Sequence, residues 1–278
     1  MNEEVVFPQK QGKPLRLLMP QWQGSGANSI YPLGASLLAW LAPDSDDPLV
    51  EVPIAPFQPD APLEAGVYWR TALMAQLQQA RQIIDEHAPD RIVVFGGDCS
   101  VEQTPFAYLN ERYHGRLGVL WIDAHPDIAT PGHRQAAHTM VLGNLIGGGD
   151  DQFAREVKRP LDPKLVAMVG LAETFEYENE LVDRAGISRF DMAEAEICDR
   201  ILQWIEASSI EHLAIHFDLD ALHPGIFRST GFAKPQMSAN TQPNPRAGHM
   251  TFGQVREIIG SVSAATDVVA LGITEHMP

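Results

Sequence analysis

Two short acidic motifs hold the residues of this chain that are best suited to chemistry. Asp123-x-His125-x-Asp127 places one imidazole between two carboxylates, and Asp218-x-Asp220 adds two further carboxylates. Four carboxylates crowded together repel one another and raise each other's pKa values unless a cation lies among them. Oxygen ligands with one or two nitrogens suit Mn²⁺ or a related divalent ion better than a tetrahedral zinc site. The motifs therefore predict a divalent metal site, with two ions where carboxylates are shared.

A plainer interpretation applies to the same aspartates. An aspartate that follows a strand commonly caps the next helix by accepting a hydrogen bond from its backbone N–H groups. Asp218-x-Asp220 alone fits this interpretation as well as it fits a metal site. The position of both motifs directly after apolar, strand-like runs favours the metal site.

Six short apolar runs supply the elements that must position these motifs. They cover residues 15–19, 91–95, 118–122, 165–169, 213–217 and 268–273. Such runs are typical of buried parallel strands. Between several of them apolar residues recur at three and four positions, most clearly over 68–87 and 193–208, which predicts helices. This alternation predicts a doubly wound α/β sheet, and ligands of such sheets bind at the carboxyl ends of the strands.

The rest of the sequence indicates one long loop and a single domain. Residues 223–249 are rich in proline and glycine and lack an apolar period, so we expect a surface loop over the strand ends that can act as a lid. No internal repeat or flexible linker divides the 278 residues. A single domain over residues 1–278 is therefore expected, although the length alone also allows two.

Composition and charge exclude several classes of function. The chain has 20 Lys and Arg against 36 Asp and Glu, and its net charge of −16 is the wrong sign for binding nucleic acid or an anionic membrane. Two cysteines cannot form a disulfide framework, and the start Met1-Asn2-Glu3-Glu4 precedes no apolar signal core. No run approaches the roughly 20 apolar residues of a membrane span. These features predict a cytoplasmic protein with a small cationic or neutral substrate.

Four motifs in a fixed order carry a resemblance to a known family. Gly96-Gly97-Asp98-x-Ser100 comes first, then Asp123-Ala124-His125-x-Asp127, then Asp218-x-Asp220, and finally Glu275. This order resembles the arginase/agmatinase family, the ureohydrolases. The resemblance implies a three-layer α/β/α domain with a central, mainly parallel, eight-stranded sheet. It also implies a binuclear Mn²⁺ site and assembly into homo-oligomers. The implied reaction is hydrolysis of C–N bonds other than peptide bonds, in linear amidines.

The resemblance also assigns roles to residues. Asp123 and Asp218 match the bridging carboxylates, Asp127 and Cys99 match ligands of one ion, and His125 and Asp220 match ligands of the other. Two cations about 3.5 to 4 Å apart would lower the pKa of a bridging water, so that hydroxide forms at neutral pH and attacks the guanidinium carbon. The matching catalytic residues are Asp127, which holds the hydroxide, His138, which shuttles protons, and Glu275, which pairs with the substrate guanidinium.

Several positions depart from the family pattern. Cys99 stands where the family usually has a histidine ligand, and a thiolate favours softer ions than Mn²⁺. Cys99 can therefore bind a different metal, weaken one Mn²⁺ site, or simply be a small buried residue. Ala129 replaces the asparagine of arginine-specific members, which argues against free L-arginine as the substrate. A thiol at position 99 also occurs in relatives that act on N-hydroxyarginine, so an N-hydroxyguanidine is a candidate substrate.

Two functions are compatible with these residues. The first is a metal-dependent hydrolase of a linear guanidino or amidino compound that releases urea or a urea derivative. The second is a non-catalytic, metal-binding family member with a scaffold or regulatory role, which the cysteine at position 99 favours. The presence of His138 and Glu275 favours the enzyme, because a scaffold has no chemical need for a proton shuttle or a guanidinium partner.

Overall fold

A parallel sheet of eight strands forms the centre of the computed structural model, which describes residues 12–193, 196–234 and 244–278. The strands are β1 (Pro14–Met19), β2 (Leu49–Glu51), β3 (Leu63–Glu64), β4 (Val67–Tyr68), β5 (Arg91–Gly96), β6 (Leu117–Ile122), β7 (Val166–Val169), β8 (Ser188–Phe190), β9 (His212–Asp218) and β10 (Asp267–Thr274). The sheet order is β2-β1-β5-β10-β9-β6-β7-β8, and β3 and β4 form a separate antiparallel pair. The predicted parallel α/β sheet is confirmed.

Helices cover the sheet. The α-helices are α1 (Tyr31–Leu41), α2 (Arg70–His87), α3 (Gln103–Arg112), α4 (Val141–Leu145), α5 (Asp151–Arg155), α6 (Glu176–Ala185), α7 (Ile197–Ala207) and α8 (Phe252–Ala265). Apolar residues of α2, α3, α4 and α6 pack in one cluster with one face of the sheet, whereas those of α7 and α8 pack against the other. This arrangement confirms the three layers.

Burial on both faces explains why the central strands are apolar throughout. Side chains alternate along a strand, and in β6 Val119 and Trp121 join one apolar cluster while Leu120 and Ile122 join the other. All four are fully buried. The six predicted strands are all confirmed at this central part of the sheet, because a parallel strand between two helical layers has no polar face.

The predicted helices are present with shifted starts. The helix expected over 68–87 begins at Arg70, because Trp69 adopts a left-handed conformation with φ of 56° that a helix cannot include. The helix expected over 193–208 is α7, and residues 194–195 at its predicted start lie outside the described residues. No helix of the described chain is long and apolar enough to cross a membrane. The single domain and the homo-oligomer stay predictions.

Candidate metal centre

The four strands that end in polar motifs are neighbours in the sheet. Strands β5, β10, β9 and β6 lie side by side, and all of them are parallel. Their carboxyl ends therefore meet at one edge, where ligands of such sheets bind. The structure brings together at this edge every site residue predicted from the sequence: Cys99, Asp123, His125, Asp127, His138, Asp218, Asp220 and Glu275.

The potential ligand atoms of this cluster lie close together. Within each of four overlapping groups, every ligand atom is within 4.8 Å of the others. The groups are Asp123-His125-Asp220, Asp123-His216-Asp218, Cys99-Asp127-His216 and Cys99-Asp218-Glu275. The predicted division of the ligands is compatible with this geometry, since His125 groups with Asp220 and Cys99 groups with Asp127.

Two aspartates cap the turns after their strands and also face the cluster. Asp123 Oδ1 accepts a hydrogen bond from the backbone N–H of His125 at 2.7 Å, and Asp218 Oδ1 accepts one from Asp220 N–H at 2.6 Å. The capping interpretation is thus correct for one oxygen of each side chain. The second oxygen of Asp218 accepts from the Cys99 thiol at 3.1 Å, and the second oxygen of Asp123 accepts from the Trp121 indole N–H at 3.0 Å.

Two further carboxylates are held on unusual backbone. Asp127 has φ of 46° and Glu275 has φ of 62°, both in the left-handed region that residues other than glycine rarely adopt. Such a conformation costs on the order of 1 kcal/mol or more and persists only where the surrounding structure enforces it. The hydrogen bond from Glu275 N–H to the Gly97 carbonyl is one such constraint. Strain at both positions is typical of a functional site.

Electrostatics at the edge are unfavourable without a cation. Burial, together with the charges of neighbouring carboxylates, raises the pKa of Asp127 and of Asp218 well above the usual range. Burial acts in the same direction on Asp123, but the neighbouring imidazoles of His125 and His216 outweigh it and lower the pKa of Asp123. Although burial opposes it, the charge of Asp220 raises the pKa of His125 well above its usual value.

Unpartnered buried atoms show where a cation fits. Asp127 Oδ2, Asp220 Oδ1 and His216 Nε2 are buried and have no hydrogen-bond partner among the described residues. Buried polar atoms normally find partners, so three such atoms at one site need an explanation. Carboxylate, imidazole and thiol donors around them form a set that binds divalent transition ions. The residues present therefore fit a metal centre.

A second constellation lies beside the acidic cluster. His138 is in a 3₁₀ turn, Ala137–Met140, and its Nδ1 lies 3.1 Å from Glu275 Oε1. Burial lowers the pKa of His138, but the hydrogen bond and charge of Glu275 outweigh it and raise that pKa to about 9. The Tyr31 hydroxyl, at the start of α1, donates to the other oxygen of Glu275. Glu275 is thus oriented from two sides.

Cys99 meets the requirements of both interpretations made from the sequence. Its side chain is 2% exposed and packs with the apolar cluster under the sheet, as a small buried residue does. Its Sγ also lies within hydrogen-bond reach of Asp218 and, at 3.7 Å, of Glu275. Burial and the nearby carboxylates raise the pKa of the thiol well above its usual value. A thiol in this state becomes a ligand only when a cation displaces its proton.

The aromatic residues near the acidic cluster differ in exposure. Trp22 and Trp69 are buried and pack edge to face, so they belong to the core rather than to a pocket wall. Phe232, in the described part of the 223–249 loop, stacks on His125 with ring centroids 5.6 Å apart. That part of the loop therefore covers the site edge as predicted, whereas residues 235–243 lie outside the described chain.

A cavity opens beside His138. Its volume is about 340 Å³, and its walls include Tyr68, His133, Arg134 and His138. The Arg134 guanidinium also lies over the Phe175 ring, 5.4 Å from the centroid. This cavity gives the site a cationic wall a short distance from its acidic centre.

Three residues of the site were not found from the sequence. His216 lies inside the apolar run of β9, Glu102 ends the 3₁₀ turn Cys99–Glu102, and Tyr31 begins α1. A usable signal existed only for His216, because residues two apart in a strand share a face and Asp218 lies two positions later. Glu102 and Tyr31 reach the site through tertiary packing that the sequence does not reveal.

Most of the chain matches the sequence model of one protein family. Residues 59–278 match the family model described as the arginase family. An arginase of Coccidioides immitis is 27% identical over 225 residues, which are 75% of this chain and 66% of that protein. The chain thus spans just under two thirds of that relative's length.

Solved structures show the same fold at low identity. An arginase of Entamoeba histolytica, solved in complex with L-ornithine, aligns with a TM-score of 0.76 at 18% identity, covering 95% of this chain and 90% of that one. A proclavaminate amidino hydrolase of Streptomyces clavuligerus aligns with a TM-score of 0.65 at 17% identity, covering 97% and 85%. At these identities the comparison concerns the fold.

Proposed function

The chain belongs to the arginase family, and on that basis we propose that it is a metal-dependent hydrolase acting on a linear guanidino or amidino compound. The reaction breaks a C–N bond and releases urea or a urea derivative. The observation that supports it most directly is the position of the His138–Glu275 pair at the edge of the acidic cluster. A metal site alone does not require that pair.

We propose that the cluster holds two divalent ions, with Mn²⁺ as the first candidate. The residues that would hold them are Cys99, Asp123, His125, Asp127, Asp218 and Asp220. Ions held by these residues would lower the pKa of bound water and so supply hydroxide at neutral pH. The remaining chemistry belongs to side chains of the chain itself.

Glu275 is the proposed partner of the substrate. Its carboxylate accepts hydrogen bonds from Tyr31 and His138. A guanidinium or amidinium presents N–H donors to a carboxylate in a charge-assisted pair, which is stronger than a neutral hydrogen bond. Because both oxygens are already oriented, Glu275 loses little freedom when the substrate binds. The reacting carbon is thereby held beside the acidic cluster.

Asp127 and His138 are the proposed proton carriers. Asp127 Oδ2 is buried without a hydrogen-bond partner among the described residues, so it is free to accept a proton from the attacking water. With a pKa raised to about 9, His138 is protonated at neutral pH and can donate to the leaving amine. Neutral amine is a far better leaving group than its anion, so this donation lowers the barrier to C–N cleavage.

The substrate tail belongs in the cavity beside His138. Arg134 in its wall would pair with a carboxylate, which favours a guanidino acid over a guanidino amine. An N-hydroxyguanidino acid has the same tail, carries one additional hydroxyl on the guanidino group and is less basic than the parent guanidine. It is therefore the second substrate to test.

The decisive experiment is a product assay on purified protein that has been re-equilibrated with Mn²⁺. Guanidino acids, guanidino amines and N-hydroxyguanidino acids are supplied in turn, and urea or hydroxyurea is quantified. Glu275→Gln and His138→Asn should each lower turnover at least about 100-fold. His87→Asn is the matched control, because His87 ends α2 beside Lys13, at the amino ends of the strands and away from the cluster. Protein that binds two ions per chain but turns over none of these compounds would favour the non-catalytic role.

A further inference from the structure

His216 is a fully buried histidine that none of the proposed roles uses. It lies in β9 two positions before Asp218, and its Nδ1 is 2.6 Å from Glu102 Oε2. Its Nε2 faces the acidic cluster, 3.4 Å from Asp123 Oδ2 but without the geometry of a hydrogen bond. One ring nitrogen is therefore fixed by a carboxylate, and the other is free towards the site.

The surrounding structure holds this imidazole in place. The ring stacks on the indole of Trp121, with centroids 3.7 Å apart and planes inclined by 19°. Glu102 is also fully buried, and it occupies space that exists because residue 272 is glycine. A Cβ at Gly272 would lie 1.7 Å from Glu102 Oε1. The histidine and its carboxylate are thus built into the fold as a pair and cannot turn away from the cluster.

Ligand atoms of different chemistry surround the free side of the ring. A nitrogen of His216 lies within 4.8 Å of the Cys99 Sγ and of an Asp127 oxygen. The same residue forms a second such group with Asp123 and Asp218. A buried imidazole that donates one N–H to a carboxylate and turns its other nitrogen to a group of ligands is the usual arrangement of a metal-binding histidine.

We propose that His216 is a metal ligand, and that with Cys99 and Asp127 it forms a half-site whose donors are nitrogen, sulfur and oxygen. The other half-site has His125 and Asp220, with Asp123 and Asp218 between the two. The proposal rests on the metal centre of the proposed function. Because thiolate and imidazole are softer donors than carboxylates, the first half-site prefers Zn²⁺ or Co²⁺ to Mn²⁺. The two ions are therefore not equivalent.

Glu102 is the positioning residue of this half-site. By accepting the Nδ1 proton it fixes the tautomer in which Nε2 carries the lone pair, and it increases the basicity of that nitrogen. Replacing such a partner typically weakens metal binding by about 10- to 100-fold without removing a ligand. Glu102→Gln should accordingly lower the affinity for one ion and leave the ion count at saturation unchanged.

The test measures metal binding without turnover. Wild type and His216→Gln are stripped with chelator and titrated with Co²⁺. Bound metal is counted by plasma mass spectrometry, and the thiolate-to-cobalt absorption band is recorded. Wild type should bind two ions with a thiolate band, whereas His216→Gln should lose one ion or weaken it at least 100-fold and shift the band. His212→Gln is the matched control, because His212 lies at the other end of the same strand and pairs with Asp267.

A variant that leaves Glu102 unpaired in the core can misfold, so two further measurements are included. Glu102→Gln/His216→Gln removes the buried carboxylate together with the imidazole and should show the same loss of one ion. Proton NMR of Co²⁺-loaded wild type needs no variant. Hyperfine-shifted, exchangeable imidazole N–H signals should come from two histidines when His216 binds cobalt, and from one when His125 alone does.

The outcomes separate this proposal from the proposed function. Unchanged ion count, affinity and cobalt spectrum in His216→Gln, with one N–H signal in wild type, would overturn the role of His216 even if wild type hydrolyses a guanidino compound. Loss of one ion in the variant supports the role of His216 even if no compound is hydrolysed.

Discussion

Replacing Asp218 by asparagine should change stability in opposite directions with and without metal. Ligand oxygens of Asp218 and Asp123 lie within 4.8 Å of each other, and both side chains are buried. At an effective dielectric constant of 20, two unit charges at that distance repel by about 3.5 kcal/mol. Asparagine keeps the oxygen that accepts from Asp220 N–H and removes the charge. In chelator the substitution should therefore stabilise the protein.

The expected gain is smaller than the full repulsion. The pKa of Asp218 is raised well above its usual range, so part of the repulsion in the wild type is already relieved by protonation. In chelator the variant should therefore exceed wild type by about 1 to 2 kcal/mol in free energy of unfolding, which corresponds to a Tm higher by roughly 2 to 8 °C. Metal at 100 times its Kd should raise the free energy of unfolding of wild type by about 2.7 kcal/mol. The variant lacks one ligand, so metal should raise its free energy of unfolding only slightly. The order of the two melting temperatures should reverse.

Circular dichroism melts in chelator and in excess Mn²⁺ measure both effects. Asp46→Asn, which removes an exposed carboxylate far from any cluster of ligands, controls for the general loss of one negative charge. A variant that is less stable than wild type in chelator, and that metal stabilises as strongly as wild type, would refute the reasoning. It would mean that Asp218 acts only as the cap of its turn.

Three further outcomes are expected. Tyr31→Phe removes the hydroxyl that orients Glu275, so kcat/KM for the guanidino substrate should fall about 10- to 100-fold, the effect of one hydrogen bond to a charged group; an unchanged value would exclude that role. Gly272→Ala places a Cβ against Glu102 and should lower the free energy of unfolding in urea by about 1 to 3 kcal/mol, whereas an unchanged midpoint would show that the pair has room to shift. In chelator, stability should fall as pH rises from about 6.5 to about 9, because folded protein keeps a proton on His138 that unfolded protein releases. His138→Gln should reduce this slope, to which His125 and His216 also contribute because their pKa values are raised in the same direction. A slope equal to that of wild type would assign all of it to other groups.

The sequence predicted the centre of the sheet well and its edges poorly. Six strands were found because they are apolar at nearly every position, and in β6 this reflects burial on both faces. The edge strands β2 and β8 have three residues each and are largely exposed or half-buried, so neither an apolar run nor an alternation marks them. The short pair β3 and β4 gives still less signal, because each has two residues.

The site was predicted where its residues follow strand ends and missed where they do not. Position after a strand identified Asp123 and Asp218, because parallel strands bring their carboxyl ends to one edge. His216 precedes the strand end, and a single polar residue within an apolar run is easily taken for part of the core. Tyr31 lies more than 200 residues from Glu275 in sequence, and their contact depends on the packing of α1 over the strand ends.

The order of the strands has a consequence for synthesis of the chain. β10 comes after the other nine strands along the chain, yet it lies in the middle of the sheet, between β5 and β9. Before the ribosome has released residues 267–274, the described strands can form two partial sheets, β2-β1-β5 and β9-β6-β7-β8. Strands β5 and β9 then each have one edge without a neighbouring strand. Unpaired inner edges are templates for association with other chains. We expect nascent chains shorter than this to depend on chaperones, and the metal centre to form only when β10 is inserted between the two halves.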